Sequence, residues 1–453
     1  MIVVLSDLHF SESQSTQIEN RRFNRNLTPD VFQAYYFEVN QYAKANGIHE
    51  VDLVLAGDIL EITRSQIWLD GEDRPYVDNN DIQPGSDLER TILRIVETIS
   101  VEDRVSETLE IFRNIQNYID GDVRLHFIPG NHDRLVNATP ATRRMVREIL
   151  GIPGGSEPFS NYLIFEEIDG TSFALIRHGH EYDPTNFALN VRKLNEIPED
   201  IPKEIYDKPC LGDIITIEFG AALPWLFRQK FGDQTILKDP TLLAVYERLM
   251  EFDDVRPTSA WLAFLLSIPE VDTKVAWNLI QPSFSKVIQN LSRHKEFRKT
   301  LKQSQAIGFV PRTAILPLIK SPLFNSGIPF WIIKLIMKLV SKTINVQSQV
   351  EWVKREAHIW DKEAECECVV SGHSHFAEVS LISARNDIEK YYINTGTWRN
   401  VIPATETFED FGRLKALTKV MIFNPTEDVP GDGEPKWAFR FMSGVSYGSH
   451  RIL

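Results

Sequence analysis

Five short polar motifs along the chain carry residue types that bind divalent metal ions. In chain order they are Asp7-Leu8-His9, Gly57-Asp58, Gly130-Asn131-His132-Asp133, His178-Gly179-His180 and Gly372-His373-Ser374-His375. Carboxylate and amide oxygens suit hard cations, whereas imidazole nitrogens suit borderline cations. A mixed set of aspartate, asparagine and histidine therefore predicts a hydrolytic centre that uses manganese, iron or zinc.

A run typical of a buried strand precedes each motif. These runs lie at residues 2–5, 52–56, 125–129, 173–176 and 368–370. Short apolar runs that end at glycine or at a polar residue are typical of strands covered on both faces. Because residues at the carboxyl ends of neighbouring strands meet in one crevice, we expect the motifs to converge in space.

The ordered motifs resemble the signature of the calcineurin-like metallophosphoesterases, which is D-x-H, GD, GNH followed by D or E, a lone His, and GHxH. The resemblance covers roughly residues 1–180 and 366–400. It implies an α/β fold, a four-layer α/β/β/α sandwich, here with a large and mostly helical insertion. It also implies a hydrolase that cleaves phosphomonoester, phosphodiester or pyrophosphate bonds with a hydroxide activated by two metal ions.

The resemblance assigns seven side chains to two divalent ions, which would be manganese, iron or zinc. They are Asp7, His9, Asp58, Asn131, His178, His373 and His375. Asp58 would bridge the two ions. Asp7, His9 and His375 would complete one site, and the remaining three residues the other.

Two further residues are implied to be catalytic. His132 would stabilise the transition state or protonate the leaving oxygen, and Asp133 would orient its imidazole. In the fourth motif the family pattern favours His178 as the ligand, and His180 would lie behind it or contact the substrate. Taken singly, Asp7 and Asp58 also fit a strand end and a turn, so the assignment depends on the ordered set.

Four charged residues beside the motifs have two possible roles. Glu61, Arg64, Arg134 and Arg177 flank ligand positions, where an arginine could clamp a substrate phosphate or simply form an ion pair. The segment from Gly57 to Glu61 and the His178-Gly179 pair are also similar to the UDP-2,3-diacylglucosamine pyrophosphohydrolase branch. That branch usually carries arginine where this chain has His132, so its substrate does not transfer.

Composition limits the kind of protein. The chain has 453 residues, of which 43% are hydrophobic, and a formal net charge of −14. Such a charge makes a long nucleic-acid partner improbable, because nucleic-acid grooves are usually basic. Three cysteines, Cys210, Cys366 and Cys368, form no disulfide framework, and the N-terminal run fits a first strand better than a signal peptide, so cytoplasmic localisation is expected.

Spacing of the motifs divides the chain into three parts. We predict a first core segment at 1–183, a mostly helical insertion at 184–365 and a second core segment at 366–453. Helical spacing of apolar residues occurs at 218–231, 240–251, 258–268, 273–303 and 328–361. Within the last of these, 328–345 combines apolar residues with lysines at every fourth position, which fits either a buried helix or peripheral contact with a membrane. The sequence leaves the oligomeric state open.

These observations predict a metal-dependent phosphoesterase whose substrate is a phosphoester of moderate size, possibly linked to a nucleotide or a lipid. A metallonuclease is one alternative and would require basic or aromatic residues along an exposed groove. A scaffold that keeps the fold but binds partners is another. Members of that type typically lack metal ligands or the histidine of GNH, and this chain retains both.

Overall fold

A computed structural model describes residues 1–23, 25–166, 172–198, 201–269, 271–295, 297, 306–307, 310–311, 349–356, 360, 367–385, 388–424, 427 and 437–447. The described strands are β1 Ile2–Leu5, β2 Gln17–Ile18, β3 Arg21–Arg22, β4 Glu50–Ala56, β5 Asp122–Ile128, β6 Tyr162–Glu166, β7 Ser172–Arg177, β8 Val255–Arg256, β9 Ala306–Ile307, β10 Val310–Pro311, β11 Cys368–Ser371, β12 Ala377–Arg385, β13 Ile388–Thr395, β14 Asn400–Pro403, β15 Leu414–Phe423 and β16 Ala438–Tyr447.

The described α-helices are α1 Ser13–Thr16, α2 Pro29–Ala45, α3 Asp87–Ser100, α4 Asp103–Arg113, α5 Pro140–Leu150, α6 Lys203–Tyr206, α7 Leu211–Ile215, α8 Ala222–Phe231, α9 Asp233–Lys238, α10 Pro240–Glu251, α11 Trp261–Leu266, α12 Thr273–Arg293 and α13 Val350–Val353. A π-helix spans Thr216–Ala221. Short 3-10 helices lie at Gln66–Asp70, Asn79–Asp81, Ile115–Asn117, Arg134–Asn137, His180–Tyr182, Val191–Lys193, Phe252–Asp254 and Thr258–Ala260.

Two mixed sheets form the centre of the fold. The first has the order β5-β4-β1-β15-β14-β8, with β16 paired to β15, and the second has the order β12-β13-β11-β7-β6. Strands β1, β4 and β5 run parallel, as do β7, β11 and β13. The prediction of an α/β fold is confirmed, and five of these parallel strands, β1, β4, β5, β7 and β11, precede the five motifs.

Side chains from both sheets pack into one apolar cluster. Alternate residues of β1 and β4 contribute from the first sheet, and alternate residues of β7 and β11 from the second. The cluster comprises Ile2, Val4, Val54, Ala56, Ile128, Ala174, Ile176, Cys368, Val370, Ile393, Val420 and Ile422. Because successive strand residues face opposite sides, the other half of each strand packs outward against helices and loops.

Helices α2 to α5 pack on the outward face of the first sheet. Helix α3 begins after Ser86, whose hydroxyl accepts the N–H of Glu89, and α5 begins with a capping box at Thr139. Phe32 of α2 stacks on the buried Trp398, with 5.4 Å between ring centroids. This contact attaches the helical layer to the turn that follows β13.

Helical residues between 214 and 291 form most of a second apolar core, to which Ile18, Phe23, Ile402 and Phe408 also contribute. The predicted helices at 240–251 and 258–268 are confirmed, and the one at 273–303 is confirmed over Thr273–Arg293. The run Lys203–Phe231 is long and apolar enough to cross a membrane by length and composition, but 67% of its most apolar window is buried inside the protein. The segment 328–345, predicted as a possible membrane contact, lies outside the described residues.

Strand β8 joins this helical region to the first sheet. Val255 pairs with Ile402 and Arg256 with Pro403 in a parallel ladder, and the N–H of Ala404 donates to the carbonyl of Arg256 at 2.9 Å. The helical region therefore contributes a strand to the same sheet that carries three of the motifs.

Candidate metal centre

The five motifs meet at one edge of the two sheets, as the sequence predicts. Asp7 and His9 follow β1, Asp58 follows β4, and Asn131 follows β5. From the second sheet, His178 follows β7, while His373 and His375 follow β11. Backbone hydrogen bonds tie the loops together, because the N–H of Asp7 donates to Gly57 at 3.0 Å and that of Gly372 to His178 at 2.8 Å.

Two groups of candidate ligands lie side by side in this crevice. Asp7, His9 and His375 bring one ligand atom each to within 4.8 Å of one another, and Asp58, His178 and His373 form a second such group. The resemblance implies the first group as found, and for the second it implies Asn131, His178 and His373 with Asp58 between the two sets. A third group, His9, Glu61 and His132, adjoins the first. The Oδ2 atom of Asp58 also lies 3.8 Å from Nε2 of His9, so this carboxylate faces both groups.

Among the described residues, two buried polar atoms at the crevice have no hydrogen-bond partner. These are Oδ1 of Asn131 and Nε2 of His178, and both side chains are at most 5% exposed. A buried acceptor without a partner costs about 1–3 kcal/mol of desolvation free energy. Metal coordination would satisfy both atoms, and the carboxylate, amide and imidazole set matches what manganese, iron or zinc prefer, so the residues fit two divalent ions.

The backbone at the candidate ligands adopts an uncommon conformation. Asp7, His9, Asp58, His373 and His375 all have positive φ angles, of 55°, 50°, 54°, 67° and 58°. Residues other than glycine rarely occupy this region, and it costs free energy that the surrounding fold must offset. The shared conformation turns these side chains back over the strand ends and into the crevice.

Glycines in the motifs allow the ligand loops to approach closely. A Cβ atom at Gly57, where φ is +87°, would lie 2.4 Å from Nδ1 of His178. A Cβ atom at Gly372 would lie 2.2 Å from Oδ2 of Asp7. A side chain at either position would therefore displace a candidate ligand, which explains why glycine precedes the ligand in these motifs.

Glu61 connects His132 to the first ligand group. Its Oε2 atom lies 2.8 Å from Nδ1 of His9, and its Oε1 atom contacts Nδ1 of His132. Both imidazoles present Nδ1–H to this buried carboxylate, which leaves Nε2 of each ring for other partners. Sequence reasoning noted Glu61 only as a flanking charge, although its position three residues after Asp58 was the available signal.

The predicted role of Asp133 is wrong. Its carboxylate accepts the backbone N–H groups of Ile59, Leu60 and Gly130 at 2.8, 3.3 and 2.5 Å, and Glu61 is the carboxylate that orients His132. Asp133 is fully buried, and its carboxylate is taken up by these backbone donors. It holds the loop after β4 against the loop after β5.

His178 and His180 occupy different environments. Nδ1 of His178 lies 2.9 Å from the carbonyl of Ala56, and its Nε2 lies 3.2 Å from Oδ2 of Asp58. His180 instead packs on Phe187, with 5.3 Å between ring centroids. The geometry places His178 among the candidate ligands and His180 behind it, in the order that the sequence favours.

Asp183 is a second carboxylate that sequence reasoning missed. Its Oδ2 atom lies 3.3 Å from Nε2 of His373, an arrangement that orients the ring and leaves Nδ1 for a ligand. Burial raises the pKa of Asp183, but the hydrogen bond and charge of His373 and the hydrogen bonds from Thr185 and Asn186 together outweigh burial and bring the pKa to about 2. No motif marks this residue, so only the fold reveals it.

Opposite charges shift the pKa values of the crevice residues. Burial lowers the pKa of His178, but the charges of Asp58 and Asp7 and the hydrogen bond to Ala56 together outweigh this effect and raise it to about 10. Burial likewise lowers the pKa of His132, and Glu61 with Asp58 raises it to about 9. Without metal the crevice therefore holds protons that divalent ions would replace.

All three flanking arginines form ion pairs with carboxylates. Arg134 pairs with Asp213 at 2.9 Å and Arg177 with Glu356 at 3.0 Å, and both are buried away from the crevice. Arg64 pairs with Asp253 at 2.9 Å. Of the two roles considered for these residues, the ion pair is the one observed.

A family model described as calcineurin-like phosphoesterase matches residues 1–237. This match spans more than half of the chain, so the chain belongs to the calcineurin-like phosphoesterase family. Its members typically bind divalent metals and hydrolyse phosphoesters, and some members are not catalytic. No curated protein matches the chain significantly. The family match ends before His373 and His375, and the fold brings these two residues to the crevice formed by the matched part.

Proposed function

We propose that this protein is a metal-dependent phosphoesterase in which two divalent ions are held by the seven residues of the crevice. The convergence of two ligand groups on the shared carboxylate of Asp58 is the observation that carries the proposal. Asp7, His9 and His375 would bind one ion. Asn131, His178 and His373 would bind the other, with Asp58 between them.

When bound, divalent ions supply Lewis-acid chemistry, since they neutralise phosphoryl oxygens and make water acidic enough to lose a proton near neutral pH. His132 supplies the proton chemistry of the chain itself. Glu61 holds Nδ1–H of its ring, and Nε2 has no protein partner in the described part of the chain. Nε2 can therefore donate a proton to the leaving oxygen of a substrate seated beside the crevice.

The substrate proposed is a phosphomonoester, phosphodiester or pyrophosphate of moderate size. We propose a cytoplasmic enzyme with a four-layer core and a helical insertion. The insertion would select the substrate, because insertions at the carboxyl ends of strands border the site. Similarity to the UDP-2,3-diacylglucosamine pyrophosphohydrolases supports testing pyrophosphates. The net charge of −14 argues against long nucleic acid as the substrate.

Metal content and hydrolysis test the proposal together. The purified protein is assayed with manganese on p-nitrophenyl phosphate, bis-p-nitrophenyl phosphate and a nucleoside diphosphate sugar, beside Asp58→Asn and His132→Ala. His132→Ala should retain metal and lose about 10²- to 10⁴-fold in kcat, the usual contribution of general acid catalysis. His126→Ala is the matched control, because this histidine pairs with Asp52 on β4, away from the crevice.

Each outcome separates the alternatives. Two bound metal equivalents and hydrolysis that is lost in both variants would support the proposal, and the preferred ester would indicate the substrate class. Metal binding without turnover on any ester would favour the scaffold. Preferential cleavage of oligonucleotides would favour the metallonuclease, and a protein that binds no divalent metal would refute the site.

A further inference from the structure

Three of the four candidate ligand histidines donate their second ring N–H to an acceptor. Nδ1 of His9 faces Glu61 at 2.8 Å, Nδ1 of His178 faces the carbonyl of Ala56 at 2.9 Å, and Nε2 of His373 faces Asp183 at 3.3 Å. Such partners fix the tautomer in which the opposite nitrogen is free for metal.

His375 is the exception, because its second nitrogen faces a donor. Its Nε2 atom lies with the first ligand group, 3.2 Å from Oδ1 of Asp7. Its Nδ1 atom lies 2.6 Å from Nη2 of Arg256. A guanidinium only donates, and a neutral imidazole has one acceptor nitrogen. Nδ1 therefore carries a proton once Nε2 binds metal, and two donors would then face each other, so this contact and a loaded site exclude one another.

Arg256 forms no salt bridge with a carboxylate in the described part of the chain. Its Nη1 atom donates to the carbonyls of Asp253 at 2.7 Å and Val255 at 2.9 Å. The nearby carboxylates pair with other arginines, Asp253 with Arg25 at 3.2 Å, Arg64 at 2.9 Å and Arg399 at 3.2 Å, and Asp254 with Arg399 at 2.6 Å. A partly buried guanidinium beside the crevice that is outside any salt bridge is suited to receive an anion.

The backbone holds Arg256 at this place. Its strand β8 pairs with β14 at the edge of the first sheet, and β14 follows the turn that contains Trp398 and Arg399. The side chain is thus delivered by the insertion but anchored to the core, which is the rigid support that a substrate-contacting residue requires.

We propose that Arg256 leaves His375 when metal binds and forms hydrogen bonds with a phosphoryl oxygen of the substrate. This inference rests on the proposed function and adds to it a substrate-contacting residue from the insertion. Because a guanidinium is attracted more strongly to two negative charges than to one, Arg256 favours terminal phosphates and pyrophosphates over singly charged diesters.

Phosphate binding without turnover tests this inference. The full chain is loaded with manganese, and inorganic phosphate is titrated calorimetrically into wild type, Arg256→Ala and Arg256→Lys. Arg256→Ala should weaken phosphate affinity on the order of 10- to 100-fold, as expected for a charge-assisted contact, while manganese affinity is kept or improves. Arg413→Ala is the control, because this half-exposed arginine also lies where the helical region meets the first sheet, and there it pairs with Glu251.

Two results would overturn the inference. The first is unchanged phosphate affinity in Arg256→Ala. The second is weaker manganese binding with unchanged phosphate affinity of the loaded protein, which would make Arg256 a positioning residue for His375. If Arg256→Ala does not fold, Arg256→Lys replaces it in the test. Lysine keeps the positive charge but lacks the two parallel donors of the guanidinium, so the inference requires weaker phosphate binding in this variant as well.

Failure of the proposed function would look different. A wild-type protein that binds manganese and phosphate but hydrolyses no ester would refute the enzyme and leave the role of Arg256 in phosphate binding intact. Hydrolysis by wild type together with unaltered phosphate affinity in Arg256→Ala would support the enzyme and refute the role of Arg256 in phosphate binding.

Discussion

The Oε2 atom of Glu61 lies 2.8 Å from Nδ1 of His9, a candidate metal ligand. The other oxygen of the same buried carboxylate contacts Nδ1 of His132. One side chain therefore sets the tautomers of a candidate metal ligand and of the proposed general acid, so metal binding and proton transfer would both depend on Glu61.

Replacing Glu61 with glutamine should impair both functions. The amide can accept from one ring at most, and its NH2 group would oppose the other. We expect manganese affinity to fall about 10- to 100-fold, the usual effect of removing such a partner, and kcat to fall as well. Calorimetric titration of manganese and steady-state kinetics measure the two effects. The exposed Glu110→Gln on α4 is the control, and an unaltered manganese affinity in Glu61→Gln would contradict the prediction.

Gly57→Ala should destabilise the protein and disturb the metal centre. A Cβ atom there would lie 2.4 Å from Nδ1 of His178, and the residue has a φ of +87°. Gly47 also has a positive φ, of +66°, but a Cβ atom there meets nothing within 4 Å. Gly47→Ala should therefore cost only about 1 kcal/mol in free energy of unfolding, from backbone strain.

Urea unfolding and metal analysis of the two alanine variants separate the effect of backbone strain from that of the steric clash with His178. Gly57→Ala should lose clearly more stability than Gly47→Ala and should lose bound metal, whereas Gly47→Ala should retain it. Equal losses of stability with full metal content in both would show that the space beside His178 is not required.

Asp253→Asn should destabilise the junction between the helical region and the first sheet. Asp253 pairs with Arg25, Arg64 and Arg399, all of which are buried. Removing its charge leaves three guanidinium groups with one fewer counterion, and we expect a loss of about 3 kcal/mol in free energy of unfolding. Asp233→Asn, which breaks a more exposed pair with Arg228, should cost no more than about 1 kcal/mol.

The stabilisation by Asp253 should depend on pH. Burial raises its pKa, but Arg25 and Arg399 outweigh burial and hold the pKa below the ordinary value of 3.8. Because the folded state depresses this pKa, the stabilisation is fully present above the unfolded pKa and is lost as the pH falls through the folded pKa. The difference in unfolding free energy between wild type and Asp253→Asn should thus be constant near neutral pH and shrink in acid. A difference that grows on acidification would contradict the assignment.

His178→Ala and His180→Ala should differ in metal content. His178 lies 3.2 Å from Asp58 within the second ligand group, whereas His180 packs on Phe187. We expect His178→Ala to lose one bound metal ion and most activity, and His180→Ala to retain both ions. Inductively coupled plasma analysis of the purified variants decides, and the opposite order would exchange the roles of the two histidines.

Much of the fold could be predicted because its signals are local. The apolar runs before Asp7, Asp58 and Asn131 are β1, β4 and β5, each with the predicted position. The strands after the fifth motif also lie where alternation and turn residues indicate. Alternating burial along a strand and glycine-rich turns both appear as local patterns in the amino-acid sequence.

Contacts between side chains distant in sequence could not be predicted in this way. Asp133 is adjacent to His132 and was expected to orient it, yet backbone donors take up its carboxylate and Glu61 makes the contact instead. Arg256 lies 119 residues before His375 along the chain and belongs to no motif. Its place depends on one short ladder between β8 and β14.

The sequence by itself determined the chemistry of this protein, because metal ligands require particular residue types and their loops require glycine in a recognisable order. Only the tertiary structure decided which carboxylate supports which histidine and which arginine reaches the crevice. Those choices follow from the direction in which each side chain leaves its backbone and from pairing between distant strands, and neither quantity is encoded in local spacing.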